Sequence, residues 1–130
     1  MNSVQILGNL ARDPEVRYTA TGKAVATFTV AATHTYIDGT TNEAREMTAF
    51  INCVAWGRLG ESAGSLRKGN RCFVEGRLNS RSYEKDGQKR YVTEVVANFI
   101  GQSIDAANAA PAGGNFGGFG SDESDDGIPF

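Results

Sequence analysis

The sequence predicts an all-β fold, a five-stranded Greek-key barrel with one short helix, and three observations predict it. Short runs of apolar–polar alternation recur between turn signals from residue 4 to residue 100. One segment of helical period, residues 58–67, interrupts them. A strong two-residue hairpin signal, Asp86-Gly87, joins the last two runs. Strands, one helix and two further strands is the order of a small barrel with the helix plugging one end. A β-sandwich gives a similar string.

Val4-Gln5-Ile6-Leu7-Gly8-Asn9-Leu10 reads as the first strand, and residues 15–18, after a turn at Pro14, read as its partner. Thr21-Gly22-Lys23 is a turn. Residues 24–33 alternate small apolar residues and threonines around Phe28 and Val30, as a strand with one buried face does. Residues 36–45 are polar and read as a long loop or a hairpin; residues 47–56 read as a long strand. In the helical segment Leu59, Ala63 and Leu66 recur on one face, and Lys68-Gly69 supplies a basic last turn and a glycine stop. Residues 71–83 and 89–100 are the final strands. From about Ala106 the chain turns to alanine, glycine and asparagine, which bury too little to offset chain entropy. The expected organisation is a barrel domain over residues 1–105, a flexible Gly/Ala-rich linker over 106–121 and an acidic tip over 122–130, the last two forming a disordered tail.

A domain of about 100 residues folds without a disulfide or a metal. Cys53 and Cys72 stand apart inside apolar runs, with no CxxC pair or His/Cys cluster, and read as buried thiols of a cytosolic protein. His34, the only histidine, has no evident partner in Ala31-Ala32-Thr33-His34-Thr35 and reads as a strand-end surface residue. No glycine loop precedes a Lys-Ser/Thr pair, and no nucleophile–histidine pair is visible. No catalytic residue, metal or cofactor is therefore expected, and no enzyme. No run of 18 apolar residues exists to span a membrane, and Met1-Asn2-Ser3-Val4-Gln5 lacks the segments of a signal peptide. A cytoplasmic location is expected.

The net charge of −2 argues against nucleic acid until its distribution is considered. Residues 1–110 hold thirteen bases against eleven acids, a net +2, while four acids fall in residues 122–126. Residues 58–90 alone hold nine bases against four acids. Such asymmetry between segments matters more than the total.

Unpaired nucleotides expose aromatic base faces and one phosphate charge each, so holding them takes flat side chains and cations. Tyr36, Phe50, Trp56 and Tyr83 lie in or beside strand and loop segments, and Arg58, Arg67, Lys68, Arg71, Arg77, Arg81, Lys85, Lys89 and Arg90 are threaded among the later ones. Spacing alone leaves a core role open for these rings. Trp56 closes an apolar strand and has an inward option, whereas Tyr83 sits in Asn79-Ser80-Arg81-Ser82-Tyr83-Glu84-Lys85, too polar for a core. The chain ends Asp125-Asp126-Gly127-Ile128-Pro129-Phe130. Acidic charge, an apolar ring and a terminal carboxylate together suit a basic-rimmed apolar pocket on another protein, and Pro129 limits the freedom lost on docking. A merely solubilising acidic end leaves Ile-Pro-Phe unexplained.

With these residues in view, the sequence resembles the bacterial single-stranded DNA-binding protein family. The resemblance rests on Leu7-Gly8-Asn9-Leu10, Asp13-Pro14-Glu15-Val16-Arg17-Tyr18, Leu66-Arg67-Lys68-Gly69, Val74-Glu75-Gly76-Arg77-Leu78 and Tyr91-Val92-Thr93-Glu94-Val95-Val96, in the family's order, with the tip. It implies an oligonucleotide-binding (OB-fold) barrel, a homotetramer wrapped by single-stranded DNA, acting in DNA replication, repair and recombination in the bacterial cytoplasm and nucleoid. It places stacking on Tyr36, Phe50, Trp56 and Tyr83, and phosphate contacts on Arg58, Lys68 and Arg81. It gives Asp125, Asp126, Ile128, Pro129 and Phe130 the docking of replication, repair and recombination proteins. Tyr36 and Tyr83 stand where well-known members carry tryptophan, so weaker stacking is expected there. The tip has two consecutive acids where three are common, so weaker docking on basic pockets is expected, and the linker of about 15 residues reaches only some 20 Å, which narrows the range of partners or DNA-binding modes.

Two other functions compete: a barrel that binds RNA, since stacking does not separate RNA from DNA, and a protein-interaction module whose working part is the tail.

Overall fold

The computed structural model describes residues 1–104, which form a closed barrel. The elements are β1 (Val4–Leu10), β2 (Glu15–Tyr18), β3 (Ala24–Ile37), β4 (Ala44–Trp56), α1 (Gly57–Ala63), β5 (Arg71–Lys85) and β6 (Gln88–Gln102). The sheet runs β1-β5-β6-β4-β3-β2, and a further β1–β3 pairing closes five strands on themselves. All pairs are antiparallel except β4 with β6, which meet in parallel at Cys53↔Val95 and Val54↔Val96. This is the expected Greek-key barrel. The linker and tip lie outside the described residues.

Strand alternation fills the interior. Ile6 and Leu10 of β1, Ala26, Phe28 and Val30 of β3, Cys53 and Ala55 of β4, Cys72 and Val74 of β5 and Val95 and Ala97 of β6 form one core cluster. Ala63 joins it because α1 packs on β3, β4 and β6, and Leu66 joins it from the turn that follows.

The structure departs from the sequence reading in four places, the last of them at His34. Residues 15–18 pair with β3, from Glu15↔Thr27 to Tyr18↔Ala24, and not with β1. The C-terminal end of β1, where a hairpin partner would fold back, is already taken on both edges, by β5 along Val4–Asn9 and by β3 at Asn9 and Leu10. The helix ends at Ala63, short of the expected Arg67. Ser62, Gly64 and Ser65 are weak helix formers, and the chain continues in tight turns, with Gly64 N–H donating to Glu61 O and Leu66 N–H to Ala63 O, each at 3.1 Å. Gly69, at φ +91°, is no helix stop; its N–H donates to Leu10 O at 2.9 Å and leads into β5.

Residues 36–45 take the hairpin alternative, and the strands run well past the core. Thr33, Thr35 and Tyr36 suit extended backbone even without burial. The turn is tied by Asp38, whose Oδ1 accepts from Thr40 N–H at 2.8 Å, while Asn42 takes the left-handed φ of 62°. Asp86 and Gly87, at φ 54° and 77°, make the two-residue turn with both centres left-handed that the dipeptide predicts. His34 lies within β3 rather than at its end, exposed opposite Met47.

At Gly76 the β5–β6 register slips, since Glu75 faces Phe99 but Gly76 faces Ala97. A Cβ on Gly76 would collide with the Val96 carbonyl oxygen and lie 2.9 Å from Ala97 Cα. Backbone sits where a side chain would go. Gly76→Ala should therefore cost about 1–3 kcal/mol, as overpacking does, measured as a lower urea midpoint.

Cys53 and Cys72 are fully buried. Burial, with a smaller push from Cys72, raises the Cys53 thiol from an ordinary 9.0 to about 12, and burial raises Cys72 to about 11. Folding thus holds both neutral. Their contribution to stability is complete below the unfolded value near 9 and is lost as pH climbs from there through the folded values. Melting temperature should fall between about pH 9 and pH 12, and less steeply in a Cys53→Ala/Cys72→Ala double variant.

Candidate nucleic-acid interface

Once Phe28, Cys53, Val74 and Val95 point inward, their neighbours point out. On β3 these are Val25, Thr27 and Thr29; on β4, Phe50, Asn52, Val54 and Trp56; on β5, Arg77, Asn79, Arg81 and Tyr83; on β6, Glu94 and Val96. The register joins them into rungs across four strands. Thr27 pairs with Val54, Val54 with Val96, and Val96 with Arg77. A groove lies over this rung, bounded by Trp56, Arg77, Asn79, Arg81 and Glu94, with Val54 and Val96 as its floor. Beside it a second hollow is lined by Arg12, Asn52, Arg81, Val92 and Glu94.

The four predicted stacking rings are all exposed: Tyr36 by 40%, Phe50 by 67%, Trp56 by 44% and Tyr83 by 45%. Trp56 stands in the groove, with Lys23 Nζ 5.6 Å from its ring centroid. Phe50 is on the same outward face of β4, six residues and about 20 Å along the strand. Tyr83 follows Arg81 at strand period on the outward face of β5, opposite Arg90. Tyr36 differs. It pairs with Arg45 and has the parity of Phe28 and Val30, so it occupies the reverse face of the β3–β4 ribbon.

Of the predicted phosphate contacts, only Arg81 lines the groove. Arg58 is exposed on α1, two residues after Trp56. Lys68 is exposed in the loop before β5, its backbone N–H donating to Asp13 Oδ1 at 2.7 Å. Neither lines either hollow. Asp125, Asp126, Ile128, Pro129 and Phe130 lie outside the described residues.

Sequence reasoning passed over Arg12, Lys23 and Glu94, and it did not single Arg77 out from the other bases. Arg77 had a signal, since Arg77, Asn79, Arg81 and Tyr83 recur at strand period. Glu94 had one too, as a lone acid before Val95-Val96. It is buried at 6% exposure, and its Oε2 accepts from Arg81 Nε at 3.0 Å. Not every cation near the site is available. Arg17, level with Val25 and Trp56, is bound to Glu15 at 2.7 Å, and that hydrogen bond holds the Glu15 carboxyl below its ordinary value.

Chemically, the arrangement offers a flat ring beside guanidinium groups over an apolar floor, which suits a base and its phosphate. Among the described residues no group of His, Cys, Asp and Glu could hold a metal, and no helix is long and apolar enough to cross a membrane.

Comparison with known proteins agrees with this geometry. The family described as "Single-strand binding protein family" matches residues 1–103. A single-stranded DNA-binding protein of Paenarthrobacter aurescens is 43% identical, with 91% of this chain and 76% of the relative covered. Single-stranded DNA-binding protein A of Bacillus subtilis (strain 168) is 45% identical over 87% of this chain, which spans 64% of that relative. Among solved structures, a Plasmodium falciparum SSB complex with ssDNA superposes with a TM-score of 0.72 at 26% identity, covering 79% of this chain and 95% of the other. The barrel is an OB-fold, and the chain belongs to the single-strand binding protein family.

Proposed function

We propose that this chain binds single-stranded DNA without reading its sequence and protects it during replication, repair and recombination, in the cytoplasm and at the nucleoid. The observation that carries the reading is the groove where Trp56 meets Arg77 and Arg81. Bases stack on Trp56, Phe50, Tyr83 and Tyr36, while Arg81, Arg58 and Lys68 take phosphates, joined by Arg77 and Arg12. Stacking and charge neutralisation are both indifferent to base identity. The relatives named as single-stranded DNA-binding proteins support the same reading.

We further propose a homotetramer. In support, β1 pairs with β3 only at Asn9 and Leu10, so most of that edge remains open to another strand. Outward from β1, β5 and β6, Leu7, Phe73 and Phe99 are exposed together, Leu7 opposite Phe73 and the two phenylalanine rings edge to face at 6.3 Å. Apolar rings that stand outside a barrel suit a subunit interface. The tip, with Asp125, Asp126, Ile128, Pro129 and Phe130, recruits DNA-processing proteins by its charge, ring and terminal carboxylate.

The decisive experiment is quenching of Trp56 fluorescence by poly(dT), compared with poly(U) and duplex DNA. Quenching by poly(dT) at low salt that fades as salt rises is expected; a preference for poly(U) would move the assignment to RNA, and no binding to any of them would leave an interaction module. Trp56→Ala or Tyr83→Ala should weaken oligo(dT) binding by about 1–3 kcal/mol with the fold intact, checked by anisotropy and circular dichroism. Removing residues 125–130 should leave oligo(dT) affinity equal or slightly higher while abolishing capture of partner proteins, because an acidic tip competes with phosphates for the cations.

A further inference from the structure

A buried carboxylate in the wall of a groove meant for phosphates is an apparent contradiction. It repels the ligand, and its own desolvation is costly unless it is paired. Glu94 is nevertheless there, lining both hollows, with 7% of its side chain exposed. The register explains whom it meets. Asn79 sits directly across from Glu94, and Arg81 is two residues further along β5, the diagonal position that long side chains span.

The contact uses a particular atom. Arg81 donates from Nε to Glu94 Oε2 at 3.0 Å, and no described residue pairs with its Nη1 or Nη2. Its side chain remains 54% exposed and borders both hollows. The carboxylate thus grips the guanidinium by its inner nitrogen and leaves the outer pair free. An arginine tethered this way has lost much of its rotamer freedom before any ligand arrives.

We infer that Glu94 is a positioning residue: it holds the Arg81 guanidinium over the groove, outer nitrogens free, so that a nucleic-acid phosphate meets a preset fork. The inference deepens the DNA-binding reading and rests on it. Glu94 itself touches no phosphate; it acts through Arg81. The reduction in local positive charge is offset by the smaller ordering cost on binding.

Charge and positioning predict opposite signs, which makes the role measurable. Glu94→Gln removes a negative charge beside the phosphates, so electrostatics alone would tighten binding. Loss of positioning should instead weaken oligo(dT) binding about two- to tenfold, the equivalent of one side chain to be immobilised. The slope of log K against log salt should become shallower by up to about 0.7, the contribution of one phosphate contact on a single strand. In an Arg81→Ala background, Glu94→Gln should cause no further weakening. Thermal melts give the folded fraction of each variant, and Glu94→Asp, which keeps the charge on a shorter stem, provides a second variant with part of the function restored.

Equal or tighter binding by Glu94→Gln, with the parent slope, would overturn the inference while leaving DNA binding in place. The same weakening in the Arg81→Ala background would also overturn it, since the effect would then be structural. Failure of the parent protein to bind oligo(dT) at low salt would remove the DNA reading itself, and this role with it.

Discussion

Because Phe28, Val30, Cys53, Val74 and Val95 must all reach one core, the residues between them on β3, β4, β5 and β6 have no choice of direction. A slip of one residue in any of these pairings would exchange the two faces of a strand. The parallel contact of Cys53 with Val95 and Val54 with Val96 is where the exchange matters most, since it joins the strand carrying Trp56 to the hairpin carrying Arg77 and Arg81. Burial of the core thereby sets the distance and orientation between a ring and two cations that never touch it. The close approach of Gly76 to β6 has the same effect from the other side, because it fixes the register on which Arg77 depends.

The count of basic residues over 58–90 overstates the charge available to a ligand. Arg67 is turned inward on the chain, its Nη1 donating to Gly64 O at 2.8 Å and to Leu66 O at 2.7 Å, so it serves the turn after α1. Arg71 donates to Asn9 Oδ1 at 3.2 Å and helps to hold β1. Outside that stretch the same holds for Arg45, which lies between Asp38 and Glu43 at 3.5 and 3.9 Å and steadies the tip of its hairpin. Arg77 and Arg81 stand apart because strand alternation, not helix or turn, delivers them to the groove. Position in the fold sorts cations that composition treats alike.

Much of the fold was legible in sequence because it depends on local pattern. Alternation around Phe28 and Val30 marked a half-buried strand, and Asp86-Gly87 marked a turn whose centres must both be left-handed. The exposure of Tyr83 followed from its polar neighbours. What escaped depends on contacts distant in sequence. That residues 15–18 choose β3 follows from the end of β1 being occupied by strands 20 or more and over 60 residues away. Glu94 finds its partner across a hairpin, 13 residues back in the chain. Arg12 enters the second hollow from the segment between β1 and β2, on which no periodic pattern acts. The helix end escaped for a different reason: Leu66 does reach the core, as its spacing demands, but from a turn rather than a helix.

Both long hairpins leave the barrel with neither face covered; side chains from Thr33 to Ile37, Ala44 to Phe50 and Ser80 to Tyr91 are exposed throughout. Their ladders persist on backbone bonds and strand propensity, with no packed layer behind them. Amide protons there sit behind a low barrier to opening, while those of the core strands open only with the whole domain. A two-stranded finger of this kind bends and twists at little cost, so its rings can follow the contour of whatever lies between them while the barrel stays rigid.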